Sequence, residues 1–380
     1  MNLTIDREIL IENLNTISRG LPSKTPNPLL LGIKIYVTET DLFMTSSNSD
    51  ISVEVRINDP SLEIKEPGEA VVPGRFFIDI IRKINSRKIN LFLSDDNLLF
   101  IKVDRGEYNL KIMDPIDYPK MDYVPQDNPL ELEADVLKEV IRTTSFAAAQ
   151  SEKRPILNGV NFRNEDGKLY VTATDSFRLA EKVINIDEYE NFNIVVPSKS
   201  LDELYRSIDN YNGKIKLYFS SNKLLVVFKN VCFQTRLLEG TFPVLANLIM
   251  NNFPFILKFN KDELVSIVES VSLISPRDKD RDREITYSII KLSLKRDRIV
   301  ELSTQNQAVG GVVLQAIPTD IIANEPITIG FSSRYLLEAL RSFMSTEVTI
   351  NITSQIRPFI IHGDDDANLT QVILPVRIEE

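Results

Sequence analysis

The residues most able to do chemistry in this 380-residue chain are few. The single histidine, His362, stands beside Asp364, Asp365 and Asp366 in the run HGDDDAN. One imidazole with three carboxylates could ligate a metal and support a metal-dependent hydrolase. The same Gly, Asp and Asn residues also make a turn between two strands, because Asp and Asn close turns on their own backbone. The turn is the expected reading. Asp95 and Asp96 in FLSDDNLLF read likewise as a hairpin turn. No GxxxxGK phosphate loop is present, and the chain has only 13 glycines to build one. Cys232, the lone cysteine, lies in the strand-like run LLVVFKNVCFQTRLL and is expected in the core rather than as a nucleophile or redox site. No catalytic residue, metal or cofactor is therefore expected.

Charge, by contrast, is patterned. Three segments, PGRFFIDIIRKI from Pro73, PSKSLDELYRSI from Pro197 and SSRYLLEALRSF from Ser332, align with one another. Arg75, Lys199 and Arg334 share one aligned position, and Arg82, Arg206 and Arg341 share a second, seven residues on. At roughly 100° per residue the two cations of each segment point the same way on a helix. Apolar residues spaced i, i+3, i+4, i+7 define the other face: Phe77, Ile80, Ile81 and Ile84; Leu201, Leu204, Tyr205 and Ile208; Leu336, Ala339, Leu340 and Phe343. Lys and Arg on one helix face are ordinarily just solvated. Recurrence at both positions in three diverged copies points instead to a selected surface. Duplex DNA attracts such stripes through its phosphates, without sequence reading. The net charge of −10 does not exclude this, because a net value is silent about distribution.

The elements that must carry these stripes form a repeat. DREILIENLNTIS from Asp6, ADVLKEVIRTTSF from Ala134 and KDELVSIVESVSL from Lys261 each read as a helix after a short strand, LTI, LELE or FILKF. Leu10, Leu137 and Leu264 match, and one turn on Leu14, Ile141 and Val268 match again. INLFLSDDNLLFIKV, IKLYFSSNKLLVVFK and VTINITSQIRPFIIH each read as strand, polar turn, strand. Proline at a helix start, or serine as its cap, suits the second helices. The expected fold class is α+β: three repeated domains, each with two helices packed on antiparallel sheets. Boundaries near YVPQDNPLE and NNFPFI give domains over 1–126, 127–254 and 255–380. With 43% hydrophobic and 26% charged residues the chain is expected to be soluble and to bury real cores. Its apolar runs are too short to span a membrane, and MNLTIDREIL has neither a basic leader nor a small-residue cleavage site. A cytoplasmic location is expected.

Four short runs carry a family resemblance: RPILNGVNF at 154–162, ATDSFRLA at 173–180, EGTFP at 239–243 and LPVRI at 374–378. With the threefold repeat and the overall length, they make the chain similar to the bacterial DNA polymerase III beta subunits, the replicative sliding clamps. The resemblance implies a non-catalytic homodimer, closed head to tail into a ring of six modules, with helices lining the hole and sheets forming the wall. Tyr108 and Leu110 in the first domain, and Leu273 and Ile274 in the third, match positions that pack at the dimer junction. Lys24, Arg154, Arg277 and Arg281 sit in or beside loops resembling the family's DNA-contacting ones.

The implied partners are double-stranded DNA of any sequence, the second copy, and the clamp loader, replicative polymerase and other proteins that carry short clamp-binding motifs; no membrane partner is implied. Such motifs would enter a groove comprising Leu157, Thr174, Ser176, Phe177, Arg178, Leu179, Pro243, Leu248, Val372, Leu374, Pro375, Val376 and Arg377. Its apolar walls suit Leu or Phe side chains, with Arg178 and Arg377 bordering them. The chain departs from the family where Ser176-Phe177 replaces a common Gly followed by His or Tyr. It departs again at Asn247, where arginine is frequent, and in the added Glu379-Glu380. Two other readings are a monomeric repeat scaffold that binds peptides but not DNA, and the hydrolase built on His362.

Overall fold

The structure, a computed structural model, describes residues 1–119, 128–150, 153–244, 252–275, 277–279, 286–366 and 368–378. Among these are six α-helices: α1 (Arg7–Ile17), α2 (Gly74–Lys83), α3 (Ala134–Thr144), α4 (Ser198–Ser207), α5 (Lys261–Ser272) and α6 (Ser333–Ser342). The first helix of each expected repeat springs directly from a strand. In two of the three repeats the last strand residue caps the helix: Asp6 accepts from the Glu8 N–H at 2.9 Å and Asn260 from the Glu263 N–H at 3.1 Å. Such caps satisfy N–H groups that the first turn leaves without partners.

The repeat is also written in the strand register. The strand before each first helix pairs antiparallel with the strand after the second helix, and the pairing ends at the same place each time. Asp6 faces Lys88, Glu133 faces Lys214, and Asn260 faces Glu347. Each pair of helices is thereby hung from one ladder, which fixes the face each can bury. Leu10, Leu14, Leu137, Ile141, Leu264 and Val268 are all buried, as their shared spacing predicts. So are Phe77, Ile81 and Ile84, then Leu201, Leu204 and Ile208, then Leu336, Ala339, Leu340 and Phe343. Each fully buried side chain of this size contributes about 1.5–3 kcal/mol.

Several local expectations are corrected. On α2 Ile78 is buried and Ile80 only half-buried, because a helical face can include the i+1 neighbour of Phe77 in place of i+3. Tyr205 on α4 is half-buried. At the start of α6, Ser332 makes no side-chain cap; it is also the last residue of strand Ile327–Ser332, and its hydroxyl is buried without a partner. Pro73 likewise occupies the cap position rather than the first turn of α2. Cys232 is half-buried, its thiol pushed up to about 11 by burial and then by the nearby Glu54 carboxylate. A thiol held this far from thiolate is chemically quiet.

The described residues pack as two compact units, Met1–Lys138 with Lys199–Leu237, and Glu139–Ser198 with Leu238–Glu380. The first holds a five-stranded sheet ordered Glu63–Glu66, Asn2–Asp6, Lys88–Ser94, Leu98–Val103, Gly106–Lys111. It also holds an eight-stranded sheet in which Val231–Arg236, from the middle third of the chain, pairs with Ile51–Ile57 from the first, Phe233 opposite Val53. The second unit holds a nine-stranded sheet in which Arg178–Asn185 pairs with Leu369–Ile373. Beside it is a five-stranded sheet whose strand Gly310–Ala316 lies at an edge. Every pairing described is antiparallel.

Candidate functional site

The six patterned cations all reach solvent. Arg75, Arg82, Lys199, Arg206, Arg334 and Arg341 are exposed, each on a helix whose opposite face is in the core. Short polar contacts hold several of them. Arg82 donates to the Asn15 carboxamide at 2.7 Å, Arg206 to Glu203 at 2.9 Å and Arg334 to Glu338 at 2.9 Å; Arg341 pairs with Glu269 on α5. Within the first unit Arg82 and Arg206, from α2 and α4, meet with Arg19 and Lys229 around one cleft of about 410 Å³. Arg206, Arg334 and Arg341 are pre-oriented yet partly neutralised by carboxylates that themselves reach solvent, so a phosphate would be held by exchangeable contacts, not by a rigid cradle. Lys24 and Arg154 are exposed too. Arg281 and the side chain of Arg277 lie outside the described residues.

The described residues expected in the groove all fall in the second unit, where the pairing of Arg178–Asn185 with Leu369–Ile373 sets Leu179 opposite Val372. The turn of ATDSFRLA is built by its own polar groups. Asp175 accepts from the N–H groups of Phe177 and Arg178 at 2.9 and 3.1 Å, and Thr174 donates its hydroxyl to the Arg178 carbonyl at 2.6 Å. LPVRI then runs alongside: Leu374 donates its N–H to the Phe177 carbonyl at 2.9 Å, and Val376 to the Gly330 carbonyl at 2.7 Å.

The same unit holds two small apolar clusters, Leu157 with Val195 and Phe242, and Leu179 with Ile360 and Val372 against Phe253. Ser176, Pro243 and Arg377 are exposed, while Phe177, Leu374, Pro375 and Val376 are half-buried. Leu248 and Asn247 lie outside the described residues, as do Glu379 and Glu380. The glycines of two motifs are explained by space and backbone. A Cβ on Gly159 would stand 2.5 Å from Val195 and 2.8 Å from Leu238, and Gly240 has φ +122°.

Arg178 does not border the groove as a free charge. Its side chain is 7% exposed. The guanidinium donates to Asp175 at 3.1 Å, to the Phe146 carbonyl at 2.6 Å and to Glu338, and it lies over the rings of Tyr335 and Phe146, 4.5 and 5.3 Å from their centroids. A buried cation is tolerable when each of its three nitrogens has a partner in this way. Of the two arginines expected to border the groove, Arg377 is exposed and Arg178 is buried. Reading the sequence missed Glu338, Phe146 and Tyr335. Only Asp175, three residues before Arg178, could have been suspected from spacing.

At the dimer-junction positions, Tyr108 is 44% and Leu273 86% exposed, and Leu110 and Ile274 are half-buried. Tyr108 and Leu110 lie on Gly106–Lys111, an edge strand of its sheet. His362 and Gly363 close strand Phe359–Gly363, and Asp364–Asp366 follow it. Asp364 pairs with Lys258 at 2.6 Å, and Asp366 accepts from the Ser345 hydroxyl and from the N–H groups of Met344 and Ser345. Burial lowers the pKa of His362. Among the described residues no three ligand-type side chains converge.

The architecture is that of a three-module clamp with exposed cations repeated on α2, α4 and α6 and no catalytic constellation among the described residues. Residues 1–122, 131–244 and 247–377 match, in turn, the N-terminal, central and C-terminal domains of the DNA polymerase III beta subunit. The chain is 35% identical to the beta sliding clamp of Staphylococcus epidermidis and 34% to that of Staphylococcus aureus, over 99% of both chains in each case. It superposes on the DNA polymerase sliding clamp of Bacillus subtilis with a TM-score of 0.94 at 32% identity, covering all of both chains. The beta subunit from the DNA polymerase of Streptococcus pyogenes gives 0.93 at 31%, again over all of both. The chain belongs to the DNA polymerase III beta subunit family, the bacterial sliding clamps, whose role is non-catalytic.

Proposed function

We propose that two copies of this chain close head to tail around duplex DNA, as a cytoplasmic clamp that tethers the replicative polymerase and other motif-bearing proteins. The observation that carries this reading is the pair of exposed cations repeated on α2, α4 and α6, each opposite a buried face, in a chain of this family. A ring that slides cannot hydrogen-bond to base edges, because such contacts fix register. Phosphate contacts at Arg75, Arg82, Lys199, Arg206, Arg334 and Arg341, together with the loop cations Lys24, Arg154, Arg277 and Arg281, leave it free to move.

In this reading the domains are 1–126, 127–254 and 255–380, a division supported by the three family matches. Tyr108 and Leu110 of one copy meet Leu273 and Ile274 of the other; the open edge of Gly106–Lys111 suits strand pairing across that junction. The groove comprises the thirteen residues from Leu157 to Arg377 named above, with Arg178 beneath its turn and Arg377 at its rim. No helix of the described residues is long and apolar enough to cross a membrane.

The test is topological. Loaded on nicked circular DNA, the protein is expected to remain bound in high salt and to leave once the circle is cut. Equal loss from intact circles would overturn the reading. A solution mass near twice 43.3 kDa is expected, and one copy's mass would support the peptide-binding scaffold instead.

A further inference from the structure

One carboxylate in the second unit serves two guanidiniums of opposite character. Glu338 on α6 holds Arg334 through one oxygen, Nε to Oε1 at 2.9 Å, and Arg178 through the other. Arg334 is half exposed and belongs to the cation stripe, whereas Arg178 is 7% exposed and anchors the turn of the candidate groove. Both partners compete for one negative charge, since Glu338 is a single carboxylate, itself 27% exposed. The attachment of Arg178 to the turn is tight. Asp175 takes the Arg178 Nε–H and the N–H groups of Phe177 and Arg178, and the Phe177 carbonyl in turn receives Leu374.

We propose that Glu338 is a positioning residue linking the DNA-facing stripe to the partner groove, so that a phosphate at Arg334 tightens peptide binding. The proposal rests on the groove and stripe assignments made above. Arg334 is a solvent-facing cation four residues before Glu338, a pair worth little by itself and easily exchanged. A DNA phosphate can replace the carboxylate as its counter-ion. Glu338 then has both oxygens for Arg178, whose planar fork accepts a bidentate partner. Arg178 gains hold on the turn, and the Phe177 carbonyl on Leu374, before a peptide arrives. Less ordering is left for binding to supply, so affinity rises. By linkage, a peptide in the groove releases Arg334 to phosphate by the same factor. Because one partner is half exposed, the factor is small, about two- to fivefold.

The experiment titrates a labelled short peptide presenting Leu and Phe side chains against the full-length protein, by fluorescence anisotropy at low salt. It is run with and without a saturating short blunt-ended duplex. Wild type is expected to bind the peptide about two- to fivefold more tightly with duplex, and the gain is expected to vanish at high salt. Arg334→Ala is expected to bind at least as tightly as wild type without duplex and to gain nothing from it. Glu338→Gln is expected to bind weakly in both conditions, again with no gain. No gain in wild type, a loss on adding duplex, or an equal gain in Arg334→Ala would overturn the link. Should Glu338→Gln fail to fold, the comparison of wild type with Arg334→Ala decides. Leu374→Ala separates the two levels. If it binds like wild type, the groove assignment itself fails and the link with it; if it weakens binding while duplex has no effect, only the link fails.

Discussion

Leu374 donates its backbone N–H to the carbonyl of Phe177 at 2.9 Å, so the last segment of the chain is laid against a turn made almost two hundred residues earlier. The bond is between backbones, which leaves the half-buried Leu374 side chain free to line a surface without holding the fold together. Leu374→Ala is therefore expected to weaken binding of a short Leu- and Phe-bearing peptide about tenfold. Dimer mass and denaturant midpoint should stay near wild type. Unchanged peptide affinity would mean that the groove lies elsewhere.

Arg178→Ala should behave differently, although both residues belong to one proposed groove. Removing the guanidinium strands Asp175 and Glu338, whose side chains are 10% and 27% exposed, and takes a donor from the Phe146 carbonyl. Breaking a buried ion pair from one side destabilises by about 3–5 kcal/mol, and Glu338 sits at the wetter end of that range of environments, so about 3 kcal/mol is expected. The loss is read from urea unfolding with the full chain. A variant that is as stable as wild type but poor in peptide binding would instead make Arg178 a direct ligand contact.

The cation stripe predicts a salt dependence rather than a single hot residue. Each phosphate neutralised on duplex DNA adds about 0.9 to the slope of log affinity against log salt. Replacing Arg82, Arg206 and Arg341 by alanine together should flatten that slope by about two to three while leaving stability within about 0.5 kcal/mol, since all three side chains are exposed. A slope equal to that of wild type would move DNA off these helices.

How much of this was legible in the sequence follows from the range of each interaction. Leu10, Leu137 and Leu264 were readable as core because helical burial repeats within a few residues, and the polar turns between strands were readable from Asp and Asn. The sheet joins were not. Phe233 opposite Val53, and Leu179 opposite Val372, pair strands from different thirds of the chain, and nothing local in either strand names its partner. The same limit hid the fate of Arg178. Its partner Glu338 looks in sequence like the ordinary i+4 companion of Arg334, which it also is. Ser332 shows the converse failure. A good capping type at the right position makes no cap, and its buried hydroxyl is left without a partner.

Leu273 is 86% exposed beside the half-buried Ile274, at the end of α5. An apolar side chain so exposed contributes little to its own domain and much to a surface that covers it. Leu273→Asp is expected to leave each chain folded, with its far-ultraviolet dichroism and urea midpoint intact, and to shift sedimentation from dimer towards single chains. Retention on circular DNA should fall in step. A variant that remains fully dimeric would remove Leu273 from the proposed junction.

Ser176 carries φ +79°, in the left-handed region where residues with a Cβ are uncommon. Its N–H is held by the Thr174 hydroxyl at 3.1 Å, and its neighbours by Asp175, so the turn imposes this backbone whatever residue occupies the site. Glycine would meet the same geometry without the Cβ penalty, although it would enlarge the unfolded ensemble. The first effect should win, because the native φ is positive. Ser176→Gly is expected to stabilise the chain by about 0.5–1 kcal/mol, seen as a higher urea midpoint at unchanged slope. Since Ser176 is exposed, no packing is lost. A lower midpoint would show that the serine hydroxyl contributes more to the turn than its backbone strain removes.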